Sequence, residues 1–147
     1  MRRTHLDAVL RSVPYIASLG IAVVKSSADE VVLRLPDTHF VSGQKGNVHS
    51  SALFVLGELA ATLLLKGHPG LAPYEVLLKG TTIDYRRTPK GSATATAKFD
   101  ELALSNATTP MSGDKTSHKQ SVAITDEQGQ VLAAVETSFT VRLKAKH

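Results

Sequence analysis

The sequence predicts an α+β domain in which a single antiparallel sheet wraps around a long central helix. Three observations carry that prediction. The stretch HSSALFVLGELAATLLLK (residues 49–66) has the length of a helix, yet twelve of the fifteen residues from Ala52 to Lys66 are apolar or glycine. A helix that is apolar on nearly every side must be covered on nearly every side. After His68-Pro69-Gly70 the chain reads as a succession of strands divided by turn residues. Within them, Ser92-Ala93-Thr94-Ala95-Thr96-Ala97 alternates strictly. Its alanine face would let a helix lie close against the sheet.

The elements follow in order. Leu6, Val9, Leu10 and Val13 recur at helical spacing, with Thr4 placed to cap a short first helix. Pro14 suits the first turn of a second helix and Gly20 its end. Strands are expected over Ile21–Lys25 and Val31–Leu35, joined by a turn at Ser26-Ser27-Ala28-Asp29. Residues 36–48 form a long loop, of a length that is often functional. The central helix should start at Ser50 or Ser51, either of which could cap it, and stop at Gly67. Strands are then expected over Tyr74–Arg87, Ser92–Leu102, His118–Thr125 and Gln130–Leu143. Asp126-Glu127-Gln128-Gly129 reads as a hairpin turn and Ser105–Thr116 as a mobile polar loop.

Length and composition narrow the function. At 147 residues the chain is one domain, residues 1–147, large enough for a real core. It has no cysteine, which excludes disulfides, thiolate nucleophiles and cysteine-based zinc sites. The apolar run from Ala52 to Leu65 is too short and too acidic to span a bilayer. The N-terminal residues lack the apolar core of a signal peptide, so a cytoplasmic location is expected. The net charge is only +4 and aromatic residues make up 5%, which argues against nucleic acid as a partner. Neither a metal nor another cofactor is called for.

One feature of the apolar helix needs a chemical reason. At about 100° per residue, Ser51, Glu58, Thr62 and Lys66 fall within roughly 80° of one another. Such a sparse stripe suits a cleft better than a solvent-facing side. An ionised carboxylate buried there without partners would cost several kcal/mol, so Glu58 should find partners or be hard to ionise. Acids in such settings are candidate general bases. Two other readings compete: Glu58 as half of an ion pair with an arginine across a subunit interface, or Glu58 on a solvent-exposed edge of the helix. The helix N-terminus, meanwhile, offers free backbone amides that could hold an oxyanion.

The residues Gly46-Asn47-Val48-His49-Ser50-Ser51-Ala52-Leu53-Phe54-Val55-Leu56-Gly57-Glu58 resemble the G-x-x-H-G-G-x-x-x-x-L-x-[DE] signature of hotdog-fold acyl-CoA thioesterases of the PaaI type and their uncharacterised relatives. Ser50-Ser51 stands where that signature has Gly-Gly. The resemblance implies a hotdog fold, hydrolysis of an acyl thioester carried by CoA or a carrier protein, and a homodimer or homotetramer with its site between subunits. It places Glu58 as the catalytic carboxylate, the Ser50 amide as oxyanion donor, and His49 and Thr62 beside them. Gln44, Asn47, Ser51 and Thr81 become candidate substrate contacts. Arg86, Arg87 and Lys90 are a basic cluster at a strand end, suited to the phosphates of CoA. A dehydratase on the same fold is disfavoured, because the chain has Pro36-Asp37-Thr38-His39 where a D-x-N-P-x-H loop would be needed. The alternative function is a non-catalytic protein that binds acyl thioesters.

Overall fold

In the computed structural model, which describes residues 3–37, 49–110 and 113–145, the chain opens with two short helices. These are α1 (Arg3–Ser12) and α2 (Pro14–Leu19). Pro14 occupies the first turn of α2, where a missing N–H costs nothing, and Gly20 closes that helix at a φ of 71°. Leu6 and Leu10 are buried as their spacing requires, whereas Val9 and Val13 are exposed. The expected period fails at Val13 because α1 stops at Ser12, leaving Val13 as the extended residue before Pro14. Thr4 lies inside α1 and not at its cap.

Strands β1 (Ala22–Ser26) and β2 (Glu30–Leu35) form the expected hairpin. The apolar helix is α3 (Ser50–Lys66), ended by Gly67. Then come β3 (Tyr74–Tyr85), β4 (Ala93–Lys98), α4 (Glu101–Thr108), β5 (Lys115–Thr125) and β6 (Val131–Leu143). The strands make one sheet in the order β1-β2-β4-β5-β6-β3, antiparallel throughout. Helix α3 lies across its inner face and touches β2, β3, β4, β5 and β6.

Two devices bring the helix that close. Ala93, Ala95 and Ala97 of β4 are fully buried beneath it, as their alternation requires. On the helix side, a β-carbon at Gly57 would stand 2.6 Å from Val135 Cγ2. Glycine costs a helix interior about 1 kcal/mol relative to alanine. Here the approach of β6 leaves room for nothing larger.

The strand expected to run to Leu102 ends instead at Lys98, and α4 takes its last residues together with Ser105–Thr108, the first four of the expected polar loop. The cause is Asp100. Its carboxylate accepts from the Ala103 amide at 2.8 Å, capping a helix with Glu101 in its first turn. The turn between β5 and β6 is as expected. Asp126 accepts from the amides of Gln128 and Gln130, each at 2.9 Å, and Gly129 takes a φ of 82°.

Strand β3 carries an irregularity that matters for the site. Leu78 pairs with Phe139, but Gly80, and not Lys79, pairs with Ser138. Side chains alternate along a strand, so one extra residue reverses the phase. Leu78 and Thr81, an odd number apart, therefore both face α3.

Candidate active site

The site is built at the start and on one side of α3. His49 is its N-cap: the imidazole Nδ1 accepts from the Ser51 amide at 3.1 Å and lies 2.8 Å from the Ser51 hydroxyl. The cap is thus a histidine, and neither Ser50 nor Ser51, the two serines being the first residues of the helix. The Ala52 amide bonds to the His49 carbonyl at 3.0 Å. The Ser50 amide, one of the orphan donors of the first helical turn, has no acceptor among the described residues.

Tyr85, which sequence reasoning did not single out, donates from its phenol to the Ser50 carbonyl at 3.0 Å. The available signal was its phase: Tyr85 lies four residues beyond Thr81, on the same face of β3. Ser50, Tyr85, Arg86, Arg87, Thr88 and Pro89 line a cavity of about 390 Å³ at this end of the helix. The Arg86 Nε is held by Asp84 at 3.2 Å, while Arg87 has no ion pair among the described residues. Lys90 is exposed beyond Pro89 and does not line the cavity. Gln44 and Asn47 lie outside the described residues.

Glu58 meets its partner from across the helix–sheet seam. Thr81 donates to Glu58 Oε2 at 2.7 Å, over a separation of 23 residues. No lysine or arginine within the chain pairs with Glu58 among the described residues. The carboxylate is half-buried, less enclosed in one chain than its sequence setting suggests. Val55, Leu59 and Thr62 share its open strip and are half-buried too, so the stripe is apolar as well as polar. The Thr62 hydroxyl has no hydrogen-bond partner among the described residues. On the facing edge strand, Leu78 and Tyr85 are 42% and 46% exposed.

The two chemical groups stand apart. Eight residues separate Ser50 from Glu58, about 12 Å along the helix axis. Their partners on β3, Tyr85 and Thr81, are four strand residues apart, about 13 Å, which agrees.

The carboxylates that the structure holds below the usual range serve the frame. Lys25 does this to Glu30, chiefly through a hydrogen bond. The Ser92 amide, with its hydroxyl second, does it to Glu127. A groove of about 780 Å³ opens where β4 leaves β5, around Lys98, Phe99, His118 and Lys119. None of the candidate residues lines it, whereas Ser50, Arg86 and Arg87 line the smaller cavity at the α3 N-terminus. No helix among the described residues is long and apolar enough to cross a membrane. Among the described residues, no three histidine or carboxylate side chains cluster closely enough to hold a metal ion.

Comparison with known proteins adds a family and a fold. The family model described as "Domain of unknown function (DUF4442)" matches residues 2–141. No curated protein matches the sequence. The chain resembles the crystal structure of PA5026 from Pseudomonas aeruginosa, a protein of unknown function and probable thioesterase. The TM-score is 0.84 at 22% identity, over 95% of this chain and 96% of that one. Against thioesterase HI1161 of Haemophilus influenzae the TM-score is 0.72 at 18% identity, over 100% and 94%. Against a mutant of thioesterase SAV0944 from Staphylococcus aureus it is 0.69 at 18% identity, over 88% and 99%. At these identities the likeness shows the hotdog fold.

Proposed function

The chain belongs to the DUF4442 domain family, and on its hotdog scaffold we propose that it hydrolyses acyl thioesters at a site shared by two copies. The observation that carries this reading is Glu58: a carboxylate on the open strip of an otherwise buried helix, held by a hydroxyl and, among the described residues, by no cation of its own chain. A structural acid would be matched by a positive charge. A base needs to be oriented and left with its charge uncancelled.

The Ser50 amide, at the positive end of the α3 dipole, polarises the thioester carbonyl and receives the oxyanion. Glu58 then acts in one of two ways. As a base it takes a proton from water as the water oxygen adds to the carbonyl carbon. As a nucleophile it adds directly, and water later releases the acyl group. In both, the carbon–sulfur bond breaks and the thiolate takes up a proton to leave as a thiol, from the protonated Glu58 in the first route and from solvent water in the second. His49 commits the Ser51 amide to the helix cap, which leaves the Ser50 amide for substrate.

One chain does not bring these groups together. A reacting carbonyl must lie about 3 Å from its oxyanion donor and close to the base. The separation of about 12 Å along α3 is several times that. A second copy related by a two-fold axis brings its Glu58 to this chain's Ser50 amide, and the reverse. The surface left uncovered fits such a copy: Val55 and Leu59 on α3, Leu78 and Tyr85 on β3, and the unpaired edge of β3 itself. Arg87, at the mouth of the Ser50 cavity, is placed for a phosphate of CoA. Arg86 is already engaged by Asp84, and Lys90 lies farther out.

A panel of acyl-CoAs tests the reading, with free thiol release and thermal shift measured on the same preparation. Thiol release that follows enzyme concentration supports it. A thermal shift without turnover would replace it with a non-catalytic acyl-thioester-binding protein.

A further inference from the structure

The hydroxyl that holds Glu58 is itself held. Thr81 Oγ1 lies 2.7 Å from Glu58 Oε2 and 3.3 Å from Thr137 Oγ1. A threonine hydroxyl has one proton and two acceptor lone pairs. Thr81 spends its proton on the carboxylate, so the proton between the two threonines comes from Thr137. The order of donation is Thr137 to Thr81 to Glu58.

Thr137 is fully buried, directly across from Thr81 on β6. Its neighbours in phase on that strand, Val135, Phe139 and Val141, are buried and apolar. Valine has the same shape as threonine and would fill the position without the cost of burying a hydroxyl. Packing therefore does not explain the hydroxyl. Its one hydrogen-bond partner among the described residues is Thr81.

We infer that Thr137 is a positioning residue for the base: it occupies the acceptor side of Thr81, so that the single Thr81 proton is aimed at Glu58. A hydroxyl that accepts a hydrogen bond is also a stronger donor, which favours the ionised carboxylate. Without Thr137, the Thr81 hydroxyl is free to turn to other acceptors. The inference rests on the reading of Glu58 as the base, and its test has one readout that needs no turnover.

The test compares wild type with Thr137→Val and Thr137→Ser. In Thr137→Val, kcat is expected to fall about three- to tenfold, the worth of one neutral hydrogen bond, with KM unchanged. The acid limb of the kcat profile should move to higher pH, because the charged form has lost support. Thr137→Ser, which restores the hydroxyl, should restore both. Independently of activity, the carboxyl ¹³C resonance of Glu58, assigned by its loss in Glu58→Gln, should titrate at higher pH in Thr137→Val. The same Glu58 titration in wild type and Thr137→Val overturns the inference, as does a Thr137→Ser protein that behaves like the valine variant. A shifted titration in a protein that releases no thiol would uphold the positioning and remove the thioesterase.

Discussion

On one side of α3, Leu53, Leu56, Gly57, Ala60 and Leu64 are buried on the sheet, while on the other Val55, Glu58, Leu59 and Thr62 stay half open beside the edge strand β3. The closed side is specified by size: alanines on β4 and a glycine under Val135 leave no room for growth. The open side is specified by chemistry, since its carboxylate is oriented by Thr81 and its apolar residues Val55 and Leu59 are only partly covered by the described residues. One helix thus serves two ends. Its packed side fixes the fold, and its other side carries the carboxylate of the proposed site. Mutations on the two sides should accordingly damage different properties.

The largest effect is expected from Glu58→Gln. It keeps the shape and the acceptor for Thr81 but removes the basicity, so turnover should fall by about 10²-fold or more. The melting temperature should hold. If Glu58 were half of a buried ion pair across the interface, the unmatched partner would cost about 3–5 kcal/mol and the protein would melt early.

Next in size is Gly57→Val on the closed side. The new side chain meets Val135, where even a β-carbon stands at 2.6 Å. Overpacking of this kind costs about 1–3 kcal/mol, a fall of roughly 2–10 °C in Tm for a domain of this length. Per folded molecule, kcat should stay near wild type. A protein with normal Tm would show that α3 and β6 are not in contact as described.

Smaller still is the effect of Arg87→Ala. It should raise KM for acyl-CoA a few-fold at low salt and remove most of the salt dependence of KM, since exposed ionic contacts are screened. Equal salt dependence in variant and wild type would return Arg87 to the solvated surface.

The least effect belongs to Glu127, far along the frame. Its carboxyl is held below the usual range by the Ser92 amide and hydroxyl. A carboxyl whose folded-state pKa is depressed stabilises the fold above its unfolded pKa and loses that contribution as pH falls through the folded value. Glu127→Gln should therefore lower Tm slightly near neutrality, with the difference closing in acid. A gap that widened in acid would contradict the assignment.

What could be read from the sequence divides along the same line. The closed side was legible because size and period are local: the apolar run, the alternating alanines and the hairpin at Asp126 each announce themselves. Glu58 was legible because a charge interrupts that run. Its partner was harder to see. Thr81 reaches Glu58 only because Lys79 is an extra residue in β3, and a bulge has no spacing rule that a single sequence displays. The cap on α3 was assigned to serine from general preference, and the imidazole took it because Nδ1 can accept from the second amide of the helix. Helix α4 was hidden by carrying the alternation of β4 too far. Asp100-Glu101 was a start signal of the kind already used elsewhere in the chain.

On the proposed function, the open side of α3 is half of a site and a second copy supplies the rest. Ser50→Pro isolates one half. It deletes the free amide at the first position of the helix, where proline is well tolerated, after an extended His49 with a ψ of 140°. Alone, Ser50→Pro and Glu58→Gln should each fold and be nearly inactive. Mixed dimers formed by co-expression would contain one site with both groups intact, from the amide of one chain and the carboxylate of the other. Random pairing gives half of the dimers that composition and each such dimer one working site of two, so activity should return to about a quarter of wild type. Failure of the mixture to exceed its inactive parents, with mixed dimers shown to be present, would contradict the shared site.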